Sequence, residues 1–231
     1  MLNHKNFPSV QIPPLIFFIF LLLTACSSAP TDKYPSKKGS WQEFSGRDWA
    51  EIRNEDALLM RPVVYRAFVP FQWERKDADT QKSIKDTMKP ICEYTIHDSN
   101  MKIRLTIHTF PFNDSSSRIP CMAQITRWKD QFQEIDLLFT FTTQESHGGF
   151  CGLKLEAQGI YQNEKCKILA WSMQLAQEHE RRLTDQGLDK YKLADYTIKV
   201  MGSPFLVEKH KKEIQNFANS FEFIEELQTT L

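Results

Sequence analysis

The sequence predicts an α+β domain in which a mainly antiparallel sheet carries packed helices. Three observations lead there. Two stretches, Ile91 to Phe110 and Phe150 to Leu175, each read as a pair of strands across a short polar turn. Two others, Ile119 to Phe132 and Val207 to Phe221, repeat their apolar residues at helical spacing. Hairpins of this kind do not arise from a repeated strand-helix-strand unit, so the sheet is antiparallel rather than doubly wound. Residues 1–25 read as a leader, 26–40 as a processed N-terminus with a tether, and 41–231 as one globular domain.

The leader has three zones. Met1 to Gln11 is polar, with Lys5 and no acid; Leu15 to Leu23 is unbroken Leu, Ile and Phe; Thr24 and Ala25 are small. That is the layout of a secretory signal. The apolar core is too short to span a bilayer, which needs about 20 residues. Leu23-Thr24-Ala25-Cys26 resembles the lipobox of bacterial lipoproteins. The resemblance implies that the chain is cut before Cys26, that Cys26 carries the lipid, and that acyl chains hold the protein on a membrane. Two or more chains anchor firmly where one holds marginally, at about 0.8 kcal/mol per buried methylene. Ser27, in place of Asp, implies the outer membrane of the cell envelope.

Taking 25 residues from 231 leaves 206, a length that suits one domain plus a tether. Removing Lys5 leaves 28 Lys and Arg against 29 Asp and Glu. A neutral balance excludes the electrostatic footprint of a nucleic-acid binder and a polybasic membrane patch. The 17 Phe and 5 Trp supply a substantial core. Cys92, Cys121, Cys151 and Cys166 are an even set in an exported chain, so two disulfides are expected, with all three pairings open. Four free thiols is the alternative. No close C-x-x-C spacing occurs, so neither a metal nor a redox motif is expected.

Ser27 to Ser40 is rich in Ser, Pro and Lys and reads as a flexible tether. As a coil its 14 residues span about 20 Å. A helix is expected through Asp48 to Ile52, a strand over Arg61 to Phe71, and a charged surface loop over Glu74 to Lys89. In the first hairpin Ile103, Leu105, Ile107 and Thr109 alternate with Lys102, Arg104, Thr106 and His108, one face on a core and one in solvent. Pro111 to Arg118 is a loop. Ile119 to Phe132 is a helix with Pro120 at its first position and a stripe of Cys121, Ile125, Trp128 and Phe132. Glu134 to Thr143 is a strand and Gln144 to Gly149 a turn. In the second hairpin Leu169, Trp171, Met173 and Leu175 form the more apolar face. Gln177 to Lys190 is charged and reads as an exposed excursion. Ala194 to Gly202 is the last strand, broken by Gly202-Ser203-Pro204. Val207 to Phe221 closes the domain with Ile214, Phe217, Ala218 and Phe221 inward.

Phe68 to Trp73, Gln124 to Phe132 and Tyr196 to Pro204, the last with the Asn219-Ser220-Phe221 helix end, resemble segments of the PsbP-like family. Gln124 stands where that family's helix carries Asn. The resemblance covers residues 60–225. It implies an α-β-α sandwich and a binding module rather than an enzyme, since members of the family bind other proteins. None of their partner residues is matched here.

The chemistry in the sequence is sparse. Glu178-His179-Glu180 lacks the spacing of a metal-binding helix. His147-Gly148-Gly149 has no nucleophile motif beside it, and no Lys-Ser/Thr follows the glycines as a phosphate loop needs. Ser115, Ser116 and Ser117 are the serines from which a spatial triad would draw. Arg127 and Trp128 are candidate partner contacts, because Arg and Trp dominate interface energetics. Against that, Trp128 lies on the buried stripe. The expected function is a lipid-anchored, non-catalytic protein-binding or assembly module of the envelope. It has a membrane contact through its acyl chains, a protein partner and no cofactor. The alternatives are an envelope hydrolase with an unrecognised site and a carrier of a small apolar ligand.

Overall fold

The computed structural model describes residues 38–45, 63–77, 90–112, 115–187 and 193–224. In chain order these form β1 (Gly39–Ser45), β2 (Val63–Pro70), β3 (Trp73–Asp77), β4 (Cys92–Asp98), β5 (Met101–Pro111), α1 (Cys121–Lys129), β6 (Glu134–His147), β7 (Phe150–Tyr161), β8 (Glu164–Leu175), α2 (Gln177–Asp185), β9 (Ala194–Gly202), α3 (Pro204–Ser220) and β10 (Glu222–Phe223). Seven strands make one sheet in the order β3-β4-β5-β9-β8-β7-β6, and β1-β2-β10 make a second, smaller one. Every neighbouring pair is antiparallel. The α+β class with a mainly antiparallel sheet and packed helices is therefore the fold observed.

Side-chain alternation sorts the large sheet into two faces. On one, Leu105 and Ile107 of β5, Leu169, Trp171 and Met173 of β8, and Tyr196, Ile198 and Val200 of β9 lie in a core with α3 and the small sheet. This layer is aromatic. The Phe221 ring lies 5.4 Å from Tyr65 and 4.3 Å from Tyr196, and Trp73 lies 5.3 Å from Phe217. Stacked and tilted pairs of this kind add to the burial of the rings themselves. On the other face α1 sets Ile125 and Trp128, with Phe132 just beyond its end, onto Leu155, Ala157, Ile168 and Ala170. β8 is apolar on both sides because helices cover it on both sides.

Turn chemistry fixes the hairpins. Gln162 and Asn163 both take positive φ between Tyr161 and Glu164, the geometry that matches strand twist in a two-residue turn. Gly148 and Gly149 do the same between β6 and β7. There a Cβ on Gly149 would fall 2.4 Å from the His179 ring, so glycine is required twice over.

Several expectations are corrected. The Gly39-Ser40 end of the tether belongs to β1, which pairs along β2, so the folded chain begins before Trp41. The helix at Asp48 to Ile52 lies outside the described residues. Glu74 to Asp77 continue β3 rather than a loop, because their backbone pairs with β4 while their side chains stay charged and wet. Gln144 to His147 extend β6, leaving only Gly148-Gly149 as the turn. Pro120 precedes α1 with extended backbone, and the helix runs only from Cys121 to Lys129. Gln177 to Asp185 is a helix, not an excursion, and Leu183 is the one residue it buries. α3 starts at Pro204, where a missing N–H costs nothing.

Candidate functional site

Two features stand apart from the packed core. The first is the outer edge strand, β6. Asp136 pairs with Gln158 and Phe141 with Glu156, so four residues, Leu137 to Thr140, oppose the single residue Ala157. The resulting bulge is held from within. Asp136 accepts a hydrogen bond from the Leu138 N–H at 3.0 Å, and its backbone carbonyl accepts one from the Thr140 hydroxyl at 2.7 Å. Leu137 and Leu138 are 78% and 82% exposed, and Phe139 and Phe141 are each 54% exposed. Four large apolar side chains are thus presented to solvent on an ordered edge. The strand carries Glu134, Asp136 and Glu145 and no Lys or Arg.

The second feature is a cleft on the α1 face, where the helix stops short of β5. One part, of about 160 Å³, is lined by His108, Phe110, Gln124, Arg127, Trp128, Gln131, Thr197 and Lys199. An adjoining part, of about 420 Å³, runs past Arg104, Thr106 and Met201 to Tyr161, Glu164 and Cys166. Lys199 borders both. It sits opposite Thr106 in the ladder, so Arg104 and His108 are its diagonal neighbours on the same face. Burial lowers the affinity of the Lys199 amine for its proton, and the positive charges of Arg104 and Arg127 act in the same direction. Arg104 is itself paired with Glu93 on β4, whose carboxyl it holds below the usual range.

Other buried charges serve the framework. Arg118 clamps Asp195 with bonds of 2.5 and 3.0 Å, donates to the Leu175 carbonyl at 2.8 Å, and lies 4.3 Å over the Phe112 ring. Burial raises the Asp195 carboxyl above its ordinary value although Arg118 opposes this. The arrangement ties the segment before α1 to β8 and β9.

The residues singled out from the sequence fall as follows. Trp128 is buried among Leu155, Ile168 and their neighbours, so it is a core residue and not an exposed anchor; Arg127 is exposed beside it and borders the cleft. The four cysteines are free thiols: Cys92 buried, Cys121 and Cys166 half-buried, Cys151 exposed. Cys92 lies in the α3-face core, whereas Cys121 begins α1 and Cys166 packs against the α1-side cluster. No disulfide is formed among them, and the sheet separates Cys92 from Cys121 and Cys166. Burial pushes the Cys92 thiol up to about 11. Cys26 lies outside the described residues.

His147 bonds to the Tyr196 hydroxyl at 2.9 Å, and His179 packs over Gly149. Glu180 lies 3.6 Å from Arg118, so the Glu178-His179-Glu180 run contributes to the framework. Ser115 to Ser117 form a single 3-10 turn. Among the described residues no three of His, Cys, Asp or Glu converge as a metal set. The exposed edge of β6 escaped sequence reading although a signal existed. Leu137-Leu138-Phe139 breaks the alternation of two, and three consecutive large apolar residues cannot all point at one core. The cleft left a fainter signal, Lys199 between the apolar Ile198 and Val200.

No protein-family model matches the chain, and no curated protein sequence matches it. Among solved structures it is similar to the cyanobacterial PsbP, CyanoP, of Synechocystis sp. PCC 6803, with 11% identity and a TM-score of 0.43, over 87% of this chain and 99% of that one. It is also similar to LpqN, involved in cell envelope biogenesis of Mycobacterium tuberculosis, with 8% identity and a TM-score of 0.43, over 69% of this chain and 82% of that one. At this distance neither neighbour transfers a residue role.

Proposed function

We propose that this protein is a lipid-anchored, non-catalytic docking module of the bacterial cell envelope. Acyl chains on Cys26 hold it at a membrane, with Ser27 directing it to the outer one. Residues 27–38 act as a leash, and the domain engages an envelope protein through β6. One observation carries the docking role, the ordered apolar bulge of Leu137, Leu138, Phe139 and Phe141 on an edge strand. An exposed edge with a contiguous apolar surface invites pairing by another chain. Charge favours one occupant over the others. Acids flank the patch with no Lys or Arg in the strand, which disfavours an anionic bilayer surface. A second copy would bring the same acids against these. The fitting partner is a different protein with an apolar strip and a basic rim.

The test places a photo-crosslinking residue at Leu138 in the full chain within intact envelopes. The expected result is one protein adduct that disappears in Leu137→Asp. Adducts only with lipid, or only with a second copy of the chain, would overturn the docking role. The anchor is tested separately by palmitate labelling, expected in the wild type and absent in Cys26→Ser.

A further inference from the structure

The cleft beside α1 has no part in the docking reading, and its charges are arranged at a cost. Lys199 is partly desolvated and has two cationic neighbours, yet no carboxylate is paired with it among the described residues. A buried charge is ordinarily paired, because desolvation disfavours it alone. Glu93, across β5 from Lys199, is already engaged by Arg104, and Glu164 lines the larger part of the cleft without an ion pair to Lys199 among the described residues. Gln124 adds a second, independent sign. The residue is only 8% exposed, and it lines the cleft from α1. Its amide keeps solvent contact at the cleft wall, where a ligand can take the place of water.

The chemistry that satisfies these groups together is an oxyanion. An ammonium on the floor, guanidinium groups at the sides and an amide donor on α1 converge from three elements. Charge-assisted bonds of that kind are the stronger class. The walls are not wholly polar, since Phe110 and Trp128 border one end and Tyr161 and Met201 the other. We propose that this cleft binds a phosphate-class anion carried on a larger molecule, with Lys199 at its centre, Arg104, Arg127 and His108 around it, and Gln124 donating from the helix. The phosphate belongs either to a lipid head group or to a soluble compound; the recognition chemistry is the same.

The experiment uses the full lipidated chain in neutral detergent and follows thermal unfolding against inorganic phosphate, with chloride adjusted to constant ionic strength. Saturable protection is expected in the wild type. Half-saturation should move up about tenfold or more in Lys199→Gln and in Arg127→Gln, the loss of one charge-assisted bond. It should stay unchanged in Lys209→Gln, whose lysine pairs with Asp98 away from the cleft. Arg127 is exposed, so its variant remains informative if Lys199→Gln folds poorly. Phosphatidylcholine nanodiscs with and without phosphatidylglycerol then separate the sources. Extra protection by the anionic lipid that Lys199→Gln loses assigns a head group; equal behaviour in both discs, with phosphate still protective, assigns a soluble phosphate compound. Absence of saturable protection, or equal protection in the wild type and both cleft variants, overturns the proposal.

Discussion

The two faces of the seven-stranded sheet are built from the same strands and end in different states. The α3 face is closed by a seventeen-residue helix and a second sheet, and its rings interlock from Trp73 to Phe221. The α1 face is closed by nine helical residues packed on β7 and β8, and an open cleft of mixed lining lies between the helix and β5. Stability is concentrated on the first face, which also encloses buried polar atoms with no partner in the described residues, those of Tyr65, Trp73 and Trp171 among them, while the second face keeps a solvent-accessible cleft. The cleft is separated from the main core by the thickness of one sheet.

The largest test of the contrast is truncation. Phe221→Ala should cost about 3–5 kcal/mol, and Trp128→Ala on the other face should cost less, because water and the nearby cleft can partly fill the space. Urea unfolding of both variants gives the comparison, and equal losses would mean the two faces are equally dry. Thiol chemistry probes the same difference without mutation. In native protein at pH 8, iodoacetamide should modify exposed Cys151 first and leave Cys92 unreacted until unfolding, since a thiol raised to about 11 is hardly ionised there. Mass mapping over time reads the order.

Smaller effects sharpen the picture of the open face. Lys199→Met should raise the urea midpoint in phosphate-free buffer, by less than about 1 kcal/mol, because it removes a charge held among like charges. A drop would mean that the ammonium is structural. The Glu93 carboxyl is held low by its bond from Arg104. Its contribution is therefore full above the ordinary carboxylate value of 4.5 and fades as pH falls through the lower folded value. Glu93→Gln should be destabilised by less than about 1 kcal/mol at pH 7 and match the wild type near pH 2, since Arg104 of the pair is largely exposed.

Much of the architecture was legible in the sequence where one rule dominated. The alternation in β5 and in β8, and the stripe of α3, each reflect one-sided or two-sided burial, and periodicity reports burial directly. The misses share a cause. β3 is charged along its length because it is an edge whose backbone pairs while its side chains stay wet, so no apolar pattern marks it. α2 hides for a similar reason, as its hold on the fold comes through Leu183 and the polar ties of Glu180 and His179. The small sheet depends on β10, two residues long, which no propensity could reveal. At the candidate sites the donors come from distant elements. Lys199 and Arg104 become neighbours only through the β5–β9 ladder, and spacing along the chain carries no trace of that pairing.

The place of β9 has a further consequence for how the protein comes to exist. This strand lies in the middle of the large sheet, yet it is nearly the last to be synthesised. The hairpin ending in β5 and the meander from β6 to β8 have no common edge until it slides between them. Closure over so long a stretch of chain is slow. A chain made from its N-terminus therefore holds two separate half-sheets until nearly all of it is available, and a keystone strand that arrives late sets the moment of closure.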